Sequence, residues 1–198
     1  MNTVNSKQLL DNLVGITTRN LEIVRKKLVH LGDNQLKWTP KSENWSINEV
    51  LAHLNKYASY YHGVFKERID LTKFKEPKEN FTSSPLGRSA WKSMKLGNAN
   101  NIKRKFRAPK SFNPRIDKEI MTGNEINLFI ESQEELLNII NDSRNVNLRR
   151  VKVPISISRI IKFRLGDALQ FVIYHNERHL QQVLNILGSS HFPKKQHE

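Results

Sequence analysis

The chain contains no cysteine among its 198 residues. Disulfides, thiolate metal ligands and cysteine nucleophiles are thereby excluded, which fits a reducing cytoplasm, the location expected for it. Long apolar runs are missing too, and none approaches the roughly 18 residues that a membrane-spanning helix needs. The opening stretch MNTVNSKQLLDNLVG lacks the basic start and apolar stretch of a secretory signal. Prolines number seven, and four of them fall between positions 72 and 121. The rest of the chain is therefore free of strong breakers over long distances. No internal repeat is present.

Acidic residues are also in short supply, 19 against 33 basic ones, for a net charge of +14 and a pI near 10.1. Thirteen Lys/Arg and three Asp/Glu lie between Lys73 and Lys118, so +10 of the +14 is local. Within that stretch, Lys103-Arg104-Lys105-Phe106-Arg107 could neutralise phosphates or steer an anionic small molecule. No helix-turn-helix, zinc-finger or RNA-binding signature surrounds it, so recognition of a specific nucleic acid is not expected.

What is present is helical periodicity. Leu9, Leu10, Leu13, Ile16, Leu21, Val24, Leu28 and Leu31 predict a helix from about Ser6 to Leu31. Ser46 and Glu49 read as a capping box opening a second helix, with Val50, Leu51, Leu54, Ala58, Tyr61, Phe65 and Ile69 on its apolar face. From about 72 to 121 regularity fails, apart from a short helix expected around Arg88 to Leu96. A third helix follows Thr122-Gly123-Asn124-Glu125 and breaks near Asp142-Ser143. The segment RRVKVPISISRIIKF alternates as a short extended piece would, although Pro154 argues against a central strand. A last helix runs from about Arg164 to Leu187, with Gly188 as its stop. Four long amphipathic helices without a convincing sheet predict an all-α, four-helix bundle. One domain is expected over 1–198, carrying an irregular basic insert at about 72–121 and a basic tail at about 189–198. Exposed helix faces leave room for a homodimer.

Histidines 175 and 179, in YHNERHL, lie one turn apart on the last helix. Their imidazoles project from one face, as a metal chelate on a helix requires. The segment nearly matches the zinc-peptidase signature H-E-x-x-H, but Glu177 comes one place too late. Two residues correspond to about 200° around the helix, so Glu177 points away from the chelate. The peptidase reading loses its general base. A third ligand should come from another helix, and His53, bordering the second helix's apolar face, is the best candidate. His62 is nine residues later, about two and a half turns, so it faces the other way and cannot serve the same ion. His30, His191 and His197 read as solvated.

Two segments together resemble the DinB-like (DinB/YfiT) superfamily of helical-bundle metalloproteins. WSINEVLAHL, from Trp45 to Leu54, resembles its W-S-x-x-E-x-x-x-H-L pattern. RLGDALQFVIYHNERHLQQV, from Arg164 to Val183, resembles its closing helix, with H-x-x-x-H followed by x-x-Q. The resemblance implies one divalent metal, zinc, nickel, iron or manganese, held by His53, His175 and His179 at one end of the core. Family activities include transfer or isomerisation with low-molecular-weight thiols. The basic insert and the stretch Val151 to Phe163 depart from the pattern, where specificity could be set.

Three neutral imidazoles leave open positions on an ion for water or substrate, as in a catalytic site. Each imidazole should give its second N–H to a partner. Glu49 and Tyr57 flank His53, and Gln182 follows His179, so all three are candidates to surround the site. Glu49 could instead simply complete the capping box. Trp38 and Trp45 either cap the bundle's end or line the pocket entrance. The function expected is a metal-dependent hydrolase or thiol transferase acting on a small electrophilic substrate. The alternative is a non-catalytic metal- or ligand-binding stress-response protein.

Overall fold

The structure, a computed structural model, describes residues 3–97, 102 and 107–194. Strand β1 (Thr3–Asn5) leads directly into α1 (Ser6–Lys27), where the Asn5 side chain accepts the Gln8 N–H at 3.1 Å. Arg25, Lys26 and Lys27 occupy the last turn, where positive charge complements the helix dipole. The helix ends earlier than its apolar periodicity suggests. Leu28 and Leu31 still point inward, but the Leu31 N–H bonds to the Leu28 carbonyl at 3.0 Å, tightening the chain before Gly32. A single-turn helix, α2 (Asp33–Leu36), follows.

Helix α3 (Ile47–Asp70) opens on the expected capping box: Ser46 Oγ accepts the Glu49 N–H at 3.3 Å, and Glu49 returns a carboxylate to the Ser46 N–H at 2.7 Å. The described part of the basic insert is more ordered than its composition suggests. Strand β2 (Asn80–Thr82) pairs antiparallel with β1. Helix α4 (Pro85–Met94) starts three residues before the expected Arg88, because Ser84 caps it and Pro85 fits its first position. Ser84 donates from both N–H and Oγ to Asp167 Oδ2, each at 2.9 Å, which docks α4 onto the last helix. Gly87 is required at that crossing, since a Cβ there would lie 2.3 Å from the Asp167 carboxylate. Of the basic cluster, Lys103 to Phe106 lie outside the described residues.

Helix α5 (Glu125–Asp142) follows Gly123, whose φ of +81° suits glycine. The extended segment forms a hairpin of β3 (Lys152–Ile155) and β4 (Ser158–Arg164), with Pro154 opposite Lys162 and a register shift just after it. In a two-stranded hairpin both strands are edges, so proline is tolerated there. Strand β4 runs into α6 (Leu165–Leu187), which stops at Gly188. Among the described residues no helix is long and apolar enough to cross a membrane.

The fold is helical, as expected. Helices α5 and α6 each pack against both α1 and α3, and α4 lies along α6. The apolar interior divides in two. One cluster contains Leu13, Tyr57, Tyr61, Phe65, Leu136, Ile173 and the hairpin's Val153 and Phe163. The other contains Val24, Leu51, Leu54, Phe129, Leu180 and Val183. Between them, buried Thr17, Asn20, His53, Gln133, His175, Asn176 and Arg178 form a polar layer crossing all four long helices. The histidines therefore sit between two apolar cores rather than at one end of a single core.

Candidate metal centre

His53 comes from the second turn of α3, and His175 and His179 from the middle of α6. His53 and His175 are buried, at 2% and 6% exposure, and His179 is partly buried. The Nε2 atoms of His53 and His175 stand 3.3 Å apart, and one ligand atom from each of the three residues lies within 4.8 Å of the others. A tetrahedral ion about 2.0–2.1 Å from its imidazole nitrogens holds them about 3.3 Å apart. The His53–His175 pair already has that spacing, and the third ligand is within reach of a modest side-chain adjustment. The donor set fits a divalent cation.

Hydrogen bonds prepare two of the imidazoles for that role. His53 Nδ1–H donates to the Phe112 carbonyl at 2.6 Å, and His179 Nδ1–H donates to Gln182 Oε1 at 3.1 Å. Both bonds leave Nε2 with its lone pair free, as ligation requires. His175 Nδ1 is buried without a hydrogen-bond partner. Burial pushes all three imidazoles toward the neutral form. His53 falls from the usual 6.5 to about 4, although the Phe112 bond pulls the other way. His175 and His179 both fall well below the ordinary value, His175 through burial and the nearness of His179 and His53, and His179 through burial and the nearness of His53.

Aromatic rings fix the imidazoles from outside. Tyr57 lies 4.5 Å from His175 and 5.0 Å from His53 between ring centroids. Trp45 sits 4.9 Å from His53 and stacks over His179 at 6.1 Å, while Phe171 stacks on His175 at 6.1 Å. The two tryptophans thus divide the roles considered for them. Trp45 lines the cavity at the histidines, whereas Trp38 packs edge-on against Phe192 in the second core cluster.

Glu49 is occupied elsewhere. Besides the capping bond, it accepts Nε of Arg115 at 2.7 Å and its Nη2 at 3.0 Å. Arg115 also donates to the carbonyls of Ser42 and Asn44. One guanidinium therefore ties the start of α3 to the loop bearing Trp45 and to the turn bearing Phe112. Burial alone would raise the Glu49 pKa; the Arg115 and Ser46 hydrogen bonds outweigh it and lower the value. Neither Arg115 nor the Phe112 carbonyl stood out in the sequence. The carbonyl belongs to the backbone, and the arginine lies in an insert without periodicity.

The outlying residues fall as their spacing implied. Glu177 turns away from the histidines toward Arg19, 3.7 Å distant. His62, on the opposite face of α3, donates its Nδ1–H to Glu135 Oε2 at 2.8 Å.

The three histidines open onto a cavity of about 830 Å³, which Tyr57, Gln182, Arg178 and Arg107 also line. Glu43 is its one carboxylate among the described residues. An ion held here would face three neutral ligands and keep its charge uncompensated, which favours an anionic ligand at an open position.

Over 161 residues the chain is 29% identical to the uncharacterized protein YuaE of Bacillus subtilis (strain 168), covering 81% of this chain and 88% of that protein. No solved structure matches it. The family model of the DinB superfamily matches residues 17–183, a span that starts inside α1, ends inside α6 and holds all three converging histidines. The chain belongs to the DinB superfamily.

Proposed function

We propose that the chain is a metal-dependent enzyme in which His53, His175 and His179 hold one divalent ion, zinc, nickel, iron or manganese, at the wall of the central cavity. Such an ion supplies Lewis acidity, lowering the pKa of water or of a low-molecular-weight thiol for hydrolysis or transfer on a small electrophile. The observation that carries this reading is the convergence of three imidazoles, two with Nδ1–H committed to a carbonyl oxygen, on a cavity large enough for a substrate.

The surrounding residues have definable parts. The Phe112 carbonyl and Gln182 orient His53 and His179 and keep Nε2 available. Burial pushes the Tyr57 phenol up to about 12, so it stays protonated and serves as a hydrogen-bond donor to developing negative charge rather than as a base. Glu49 acts at one remove, through Arg115, by holding the Phe112 turn and the Trp45 loop in place. Arg107 and Arg178 favour an anionic substrate over a cationic one.

The test is elemental analysis of purified protein, before and after reconstitution with each of the four metals. One divalent ion per chain is expected, lost in the His53→Ala, His175→Ala and His179→Ala variants. Wild-type protein that holds no stoichiometric metal after reconstitution would refute the site. Thiol and electrophile screens on the loaded protein then test catalysis, and stoichiometric metal without any turnover would leave a binding protein instead.

A further inference from the structure

The cavity is not uniform along its length. On α6 it is lined by residues from Phe171 to Ile186, about 22 Å of helix at 1.5 Å per residue, with His175 and His179 between the two ends. Towards Ile186 the lining mixes polar groups, Gln182 and Asn185 with Asn44 and Glu43 of the loop before α3, with the apolar Ile186, Pro40 and Trp45. Towards Phe171 the side chains contributed by α3, α4, α6 and the hairpin carry no charge. Tyr61 lies one turn beyond Tyr57, Ala90 and Met94 come from α4, and Ile155, Ile157 and Phe163 come from the hairpin.

The hairpin that closes this arm is tethered. Tyr60 Oη donates to the Ile155 carbonyl at 3.1 Å, and the Ser156 N–H donates to Tyr61 Oη at 3.3 Å. The hydroxyl of Tyr61 is thus engaged with the hairpin backbone, and what the arm offers a guest is mainly apolar surface. An apolar wall beside a polar, cation-ready centre suits an amphiphilic guest, because each half of the molecule then meets its own kind of surface.

We propose that this arm binds the apolar body, alkyl or aryl, of a substrate whose polar reacting group sits at the three histidines. The assignment deepens the metal-enzyme reading and rests on it for the position of the reacting group. Selectivity for the apolar body lies with α4 and the hairpin, the elements outside the four long helices.

Two ligand series separate the arm from the metal. Straight-chain 1-alkanols ask nothing of an ion, whereas n-alkyl hydroxamates place a chelating head on the same tail. Titration calorimetry of 1-alkanols on metal-free protein and of hydroxamates on zinc-loaded protein should show affinity rising about three- to fourfold per added methylene until the arm is full. The variants Ala90→Phe, which fills the arm, and Ile157→Asp, which charges its exposed rim, should flatten that rise. Both should leave acetohydroxamate binding to zinc-loaded protein unchanged, which also reports that each variant is folded. Affinity indifferent to chain length in both series, or a length dependence equal in wild type and both variants, overturns the proposal. A length dependence for the alkanols in a protein that takes up no zinc keeps the arm and rejects the metal; zinc-dependent hydroxamate binding without length dependence does the reverse.

Discussion

Helix α3 buries two histidines, His53 at 2% exposure and His62 at 4%, and they live in opposite chemical settings. His53 faces two other imidazoles, two aromatic rings and a backbone carbonyl, without a carboxylate in contact. His62 faces Glu135, which also takes Lys66 Nζ at 2.8 Å. Burial lowers the pKa of both, and Glu135 partly opposes that at His62. The contrast shows that burial does not mark a ligand. What marks His53 is that its Nε2 turns toward the nitrogens of two other imidazoles, a cluster of donor atoms that could hold a cation. His62 has a sufficient account as one end of a hydrogen bond between α3 and α5.

The sharpest way to break this comparison is to remove each histidine in turn. His53→Ala should take bound metal from one ion per chain to near none, while His62→Ala should leave the stoichiometry unchanged and cost about 1–3 kcal/mol of stability by removing the hydrogen bond to Glu135 and opening a gap in the core, Glu135 keeping Lys66. Metal analysis and urea unfolding of the same preparations read both quantities; equal metal loss in the two variants would erase the distinction.

Acid is the next probe. In the metal-free fold His53 titrates at about 4 rather than 6.5, so as pH falls through that window the unfolded chain takes up its proton first. Stability should be full above pH 6.5 and should decline toward pH 4, by on the order of 3 kcal/mol from His53 alone. His62, His175 and His179 shift in the same direction and steepen the loss. Urea midpoints that stay level from pH 7 to pH 4.5 would contradict the assignment.

A smaller effect should follow from Arg115→Ala, which frees the Phe112 turn and the Trp45 loop without touching a ligand. Metal affinity should weaken about tenfold, the usual scale for groups that orient a ligand. Lysine at this position should restore little, because an ammonium cannot span Glu49 and two carbonyls as the guanidinium fork does. Competition with a chelator of known affinity measures both variants. The smallest expected change is at Glu177→Gln: metal affinity within about twofold of wild type, since only the contact to Arg19 is altered.

Much of this was legible in the sequence for a physical reason. Helical periodicity is local, so the four long helices, the His175–His179 pair, and the opposed faces of His53 and His62 could be read from spacing alone. The pairing of β1 with β2 joins residues 3–5 to residues 80–82, and no local pattern announces so distant a partner. The hairpin was obscured by Pro154, an objection that applies only to a strand flanked on both sides. Leu28 and Leu31 prolonged the apolar rhythm of α1 past its hydrogen-bonded end. The carbonyl of Phe112 left no trace, since every residue presents the same backbone group.

Along α3, His53, Tyr57 and Tyr61 follow one another at four-residue steps, and Tyr60 and Tyr61 hold the hairpin. The helix is thus a measuring rod. Its rise sets about 12 Å between the imidazole and the anchor of the far wall. Loops at either end can be exchanged without changing that span. A guest of the proposed arm would meet that fixed length first and the side chains of α4 and the hairpin second.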